Sequence, residues 1–161
     1  MKMKTMLSAV VAAAVAIGCS GGGGSGTPGT GGGGGSGGGG TGGGQSFMSV
    51  APCLTEASYT TVGTTIQFGV GGALAYTPAC LKVSAGTTVT FSGDFVTHPL
   101  EPSTRRGTLT GNPITPSNGL PLPDGGTSES FAFPTPGFYA FFCAEHSDDS
   151  GMLMDGVVWV Q

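Results

Sequence analysis

The chain has 161 residues, 33 of them glycine, with five basic and nine acidic side chains and four cysteines. That length favours one domain and is too short for a multidomain enzyme. The net charge is −4, and the only arginines, Arg105 and Arg106, stand side by side with no basic stripe around them. Nucleic acid is therefore excluded as a partner, because that affinity comes from lysines and arginines neutralising phosphates.

Lys2 and Lys4 precede a run from Met6 to Ile17 that is apolar except for Ser8. A charged start and a short apolar run form a secretory signal, predicted over residues 1–18. The run is too short for a bilayer, which needs about 20 apolar residues. Ala16-Ile17-Gly18 before Cys19 resembles the lipobox of bacterial lipoproteins, which implies cleavage before Cys19 and a lipid on its sulfur. Ser20 in place of an aspartate then implies the outer membrane, facing the periplasm or the cell surface. Between Ser20 and Gln45, 18 of 26 residues are glycine. Such a tract cannot bury enough surface to offset its ordering entropy. Residues 19–45 are thus read as the lipidated cysteine and a flexible linker, a coil spanning ~25–31 Å. Residues 46–161 are left as the folded domain.

That domain reads as strands. Ile66, Phe68 and Val70 alternate with Thr65, Gln67 and Gly69. Leu81 and Val83 alternate with polar neighbours, Ala85-Gly86 makes a turn, and Val89 and Phe91 alternate again. Phe131 and Phe133 follow, then Pro134 to Gly137 breaks the strand, Phe138 to Cys143 forms a dense aromatic strand, and Val157 to Val160 closes the chain. Period-2 patterning with Gly/Pro punctuation predicts an all-β, Greek-key sandwich. The stretch from Pro99 to Asp124 carries six prolines and little periodicity, so it is expected to be an extended loop with at most a short strand inside.

The chemistry gathers near the C-terminus. Cys143 ends the aromatic strand, His146 follows three positions on, and Met152 and Met154 precede the last strand. His98 lies 45 residues before Cys143 and is the only other histidine. Two imidazoles, a thiolate and a thioether are the ligand set of a blue-copper electron-transfer site. Zinc held by the cysteine and both histidines fits less well, since structural zinc favours further thiolates over a thioether.

Pro136-Gly137-Phe138-Tyr139-Ala140-Phe141-Phe142-Cys143-Ala144-Glu145-His146 resembles the copper-loop strand of plastocyanin-like cupredoxins, and Met154-Asp155-Gly156-Val157-Val158-Trp159-Val160 resembles the strand after it. His98-Pro99-Leu100 and Gly111-Asn112-Pro113 are similar to segments of small lipid-anchored bacterial cupredoxins. The resemblance implies a cupredoxin-like domain holding one copper ion, Cu(II)/Cu(I), through His98, Cys143, His146 and Met154, with Met152 as the alternative axial ligand. Met154 is favoured because Gly156 and the strand behind it then fall in register. Most of the family have asparagine after the first histidine, whose N–H reaches the ligand sulfur. Pro99 has no N–H, which implies more electron density on the thiolate and a lower potential.

With Cys19 assigned to lipid and Cys143 to copper, Cys53 and Cys80 remain, and outside the cytoplasm a left-over pair normally joins. Pairing of Cys143 with either would instead leave an orphan thiol. Glu145, Asp148, Asp149 and Asp155 surround the ligand loop, either as an acidic rim for a basic redox partner or as a solvated loop. The edge of His146, among apolar neighbours such as Leu100 and Met152, is the electron exit that the family implies. No histidine remains for a nucleophile–base pair, and four protein ligands leave no open position for substrate, so no enzyme is expected. The reading is a monomeric, lipid-anchored one-electron carrier serving a redox protein such as a c-type cytochrome or an oxidase. The alternative is a periplasmic copper carrier or buffer using the same ligands without a redox circuit.

Overall fold

The computed structural model describes residues 46–151 and 153–161. The expectations for the signal segment, Cys19, the glycine linker and Met152 fall outside the described residues.

Eight strands form two four-stranded sheets. The first joins β1 (Thr65–Phe68), β2 (Tyr76–Thr77), β4 (Thr87–Ser92) and β6 (Ser128–Phe133) in the order β2-β1-β4-β6. The second joins β3 (Cys80–Val83), β5 (Leu100–Gly107), β7 (Gly137–Cys143) and β8 (Asp155–Val160) in the order β3-β8-β7-β5. Chain-adjacent strands pair only at β1–β2 and β7–β8; every other connection crosses between the sheets, as the predicted Greek-key sandwich requires. Register follows the apolar alternation. Ile66 lies opposite Phe91 in a parallel pair, and Val89 lies opposite Phe131 in an antiparallel one. These side chains meet Leu81, Tyr139, Phe141, Val158 and Val160 of the second sheet in the main core. Each fully buried apolar side chain contributes roughly 1.5–3 kcal/mol.

Two sequence expectations are corrected. The alternation through Val70 stops at Phe68, because Gly69 adopts a left-handed conformation and turns the chain into a 3-10 turn, Val70–Gly72, leaving Val70 exposed. The stretch beginning at Pro99 is not all loop, since its first part is the eight-residue β5. Pro102 conceals this strand from a pattern search, yet it is tolerated because β5 is the sheet's edge. The rest of that stretch is tied down locally. Ser117 Oγ accepts from Leu100 N–H at 2.8 Å, Asn112 donates to the Ala140 carbonyl at 3.0 Å, and Ile114 is buried in the main core.

Strands β7 and β8 are buried on both faces. Tyr139, Phe141 and Cys143 face the main core with Val158 and Val160. Phe138, Ala140, Val157 and Trp159 face the other way, against Val50, Cys53 and Tyr59. The segment leading into β1 therefore covers the outer face of the second sheet. The Cys53–Cys80 disulfide pins it there, confirming the expected pairing and leaving Cys143 free and buried.

Candidate metal centre

Period 2 along β7 delivers Cys143 to the same face as Tyr139 and Phe141, at the end of the sandwich. Leu100 lies directly opposite Cys143 on β5, so His98, two residues earlier, arrives beside the same end. The β4–β5 turn that carries His98 is fixed by Asp94. Its carboxylate accepts from the N–H groups of Val96 and Thr97 and from the Thr97 hydroxyl. The Asp94 carbonyl accepts from His98 N–H at 2.9 Å. The His98 ring is held edge-on to Phe68 and rests on Gly69, where an added Cβ would lie 2.7 Å from Cδ2. His146 sits on the turn after β7, whose closing bonds run from Ser147 N–H to the Cys143 carbonyl and from Ala144 N–H to the Pro99 carbonyl.

The result is a tight triangle. His98 Nδ1 and His146 Nδ1 are 3.0 Å apart, Cys143 Sγ is 3.4 Å from His146 Nδ1, and it is 3.9 Å from His98 Nδ1. A triangle with those edges has a centre about 2.0 Å from every corner, close to typical metal–imidazole and metal–thiolate bonds of about 2.0–2.3 Å. The three ligand atoms therefore fit one transition-metal ion. Met154 is fully buried in the same core cluster, and its carbonyl accepts from Cys143 N–H at 3.0 Å. The register argument for Met154 rests on real space. A Cβ on Gly156 would fall 2.3 Å from Phe141 Cζ and 2.7 Å from the Ala79 carbonyl, so glycine is required two residues after this methionine.

Electrostatics suit a cation. Burial, and then the neighbouring His146, lower the pKa of His98, favouring the neutral ring that ligates metal. Burial pushes the Cys143 thiol up, while the backbone N–H groups of Glu145 and His146 pull it down. A bound cation supplies the charge that a buried thiolate otherwise lacks.

The expected acidic rim is only half present. Glu145 and Asp148 are exposed. Asp149 and Asp155 turn inward instead, onto Ser103, Thr104 and Arg106. Leu100 is fully buried and does not border an exposed His146 edge. Among the described residues, Leu74 and Leu153 line a surface hollow together with His146 and are 48% and 78% exposed. Neither carries a periodic signal, because both lie in irregular turns.

The family described as copper-binding proteins, plastocyanin/azurin family, matches residues 64–161. The chain belongs to that family: it is a cupredoxin, with one copper ion as its cofactor. Among solved structures it is similar to oxidised plastocyanin from Dryopteris crassirhizoma, at 24% identity over 60% of this chain and 99% of that one, TM-score 0.46. It is similar to a purple cupredoxin from Nitrosopumilus maritimus, at 24% identity over 62% of this chain and 100% of that one, TM-score 0.40. It also resembles part of a copper-containing nitrite reductase from Thermus scotoductus, at 22% identity over 62% of this chain but 22% of that one, TM-score 0.39. No curated protein matches the chain.

Proposed function

We propose that this cupredoxin is a one-electron carrier, in which His98 Nδ1, Cys143 Sγ, His146 Nδ1 and the Met154 thioether would hold a type 1 copper. The observation that carries the reading is the convergence of two Nδ1 atoms and one Sγ on a single point about 2.0 Å from each. Copper in such a set alternates between Cu(II) and Cu(I). The protein's part is to hold the set still. His98 is fixed by Phe68, Gly69 and the Asp94 turn, and Cys143 by pairing with Leu100 on one side and by its N–H bond to the Met154 carbonyl on the other, so little has to rearrange when one electron arrives or leaves. Leu74 and Leu153 beside His146 offer an apolar contact for a redox partner such as a c-type cytochrome or an oxidase. Exposed Glu145 and Asp148 favour a partner with a basic face.

The same reading extends to the N-terminus. Residues 1–18 act as a lipoprotein signal, Cys19 carries the lipid, and residues 20–45 tether a monomeric domain to the outer membrane. The residues that support this are Lys2, Lys4, the apolar run, Ala16-Ile17-Gly18 and the glycine tract. With four protein ligands the metal has no position left for a substrate, which supports a carrier over an enzyme.

The test is the visible spectrum of the full chain after one equivalent of Cu(II). The expected result is an intense blue thiolate-to-copper band that ascorbate bleaches and an oxidant restores. A pale, weak band would overturn the type 1 assignment. A blue band with slow, irreversible cycling and ready handover of Cu(I) to a chelator would shift the role to copper storage.

A further inference from the structure

The edge strand β5 loses its pairing with β7 between Pro102 and Gly107. Pro102 is opposite Phe141, but Gly107 is opposite Tyr139, so the residues between them bulge out of the ladder. Such bulges redirect side chains and backbone donors. Here they are aimed at the turn that carries His146. The Asp149 carboxylate accepts from the Ser103 hydroxyl, from Thr104 N–H at 3.1 Å and from Thr104 Oγ1 at 3.0 Å. Ser103 Oγ in turn accepts from Arg106 N–H at 2.9 Å. Arg106, with a side chain 11% exposed, donates through Nη2 to Asp155 Oδ1 at 2.5 Å and through Nη1 to the Ala51 carbonyl. Asp155, whose side chain is fully buried, also accepts from the Ser147 hydroxyl.

Ser147 follows His146 in the chain and Asp155 follows Met154. One carboxylate thus joins the residues next to two of the metal-site side chains, and one guanidinium ties that carboxylate to the β5 bulge and to the covering segment at Ala51. We propose that Arg106, Asp155, Ser147 and Asp149 are positioning residues. They form a buried brace that holds the turn after β7, residues 144–151, in its ligand-bearing shape before metal enters, and so controls how fast copper leaves. The proposal rests on the ligand set given above. Removal of a hydrogen bond to a buried charged group weakens local structure by about 10–100-fold in an opening equilibrium. Because copper cannot leave while Cys143 and His146 are held together, its release shares that factor.

The experiment compares Ser147→Ala and Asp149→Asn with the native full chain, free of copper and loaded. In the metal-free protein, amide hydrogen exchange of residues 144–151 is expected to accelerate about 10–100-fold, with the main-core strands unchanged. In the loaded protein, release to a chelator should accelerate by a similar factor, and the electron paramagnetic resonance spectrum should broaden. Val89→Ala, a core truncation at a distance from the turn, is the control. It should lower global stability and leave turn exchange and spectrum alone. Arg106→Lys should retain more of the native behaviour than Arg106→Met. Unchanged turn exchange and copper release in both brace variants would overturn the proposal. So would an equal response in Val89→Ala. A native chain that never turns blue would instead overturn the ligand reading, and the metal-free exchange would still decide whether the brace exists.

Discussion

Gly69 lies against the imidazole of His98, so closely that a Cβ at this position would sit 2.7 Å from Cδ2 and 2.9 Å from Nε2. Its φ of +67° is also one that side-chain-bearing residues rarely adopt. Gly69→Ala should cost about 1–2 kcal/mol from the left-handed backbone alone. The larger consequence is local. The ring cannot retreat freely, because Phe68 meets it edge-on and Phe95 backs Phe68, so His98 Nδ1 must swing off the triangle. Copper titration followed by its absorption band should show weaker binding and a paler band, while the far-ultraviolet circular dichroism stays that of the native sandwich.

Met154 and Met152 can be separated in the same way. Met154 is fully buried, and β8 begins directly after it. Met154→Leu is volume-conserving, so its cost to stability should stay below about 1.5 kcal/mol, yet it removes the thioether. The expected outcome is a changed copper potential and altered paramagnetic resonance parameters, with Met152→Leu close to native in both. A shift confined to Met152→Leu would reverse the assignment.

The disulfide acts on the cover over the second sheet. Cys53 and Cys80 are 27 residues apart, and on the chain-entropy model closing such a loop contributes roughly 3–4 kcal/mol. What it secures is the packing of Val50 and Tyr59 over Phe138 and Trp159. Replacing both cysteines with serine should lower the unfolding free energy by about 2–4 kcal/mol in denaturant titration. Copper ligation should survive, since Cys143 lies in the other core cluster.

The division between what the sequence revealed and what it hid has a physical cause. The alternation of Val89 with Phe91 and of Phe131 with Phe133 is a local pattern, and it gives sheet register directly. Cys143 and His146 sit in or directly after a strand whose segment resembles the cupredoxin copper loop, and it is that resemblance that implies their meeting with His98. Strand β5 was invisible because an edge strand with a bulge needs no alternation and tolerates Pro102. Asp149 and Asp155 looked like surface charges, because nothing local shows that Arg106, 49 residues before Asp155, comes to rest beside it. Gly69 gave no metal signal at all. Its contribution is the absence of a side chain where another segment approaches.

Leu153 raises a different question. It is 78% exposed and holds a φ of 65°, a conformation that costs a leucine about 1–2 kcal/mol. It lines the hollow that also contains Leu74 and His146, where an apolar surface would let a partner approach the imidazole closely. Leu153→Glu should leave the blue band and the unfolding midpoint near native. Electron self-exchange, which requires two copies to meet through the same face, should slow, and more so at low salt where like charges repel over a longer range. Unchanged self-exchange would remove Leu153 from the contact surface.

Acid titration offers a test of the sandwich remote from the metal turn. Glu129 lies on β6 opposite Phe91. Its partial burial, and then the nearby Asp124 carboxylate, raise its pKa above the ordinary 4.5. The folded chain therefore holds this proton more tightly than the unfolded chain does. The stability that the proton confers is fully present below the unfolded value and is lost as pH rises through the folded one. Glu129→Gln removes that dependence. Denaturation midpoints of native and variant proteins should coincide at about pH 4 or below and diverge at about pH 7, with the variant the more stable. Because Glu129 is only partly buried, the gap should be small. A variant less stable than native at neutral pH would show that the carboxylate has a favourable partner there, contrary to the raised pKa.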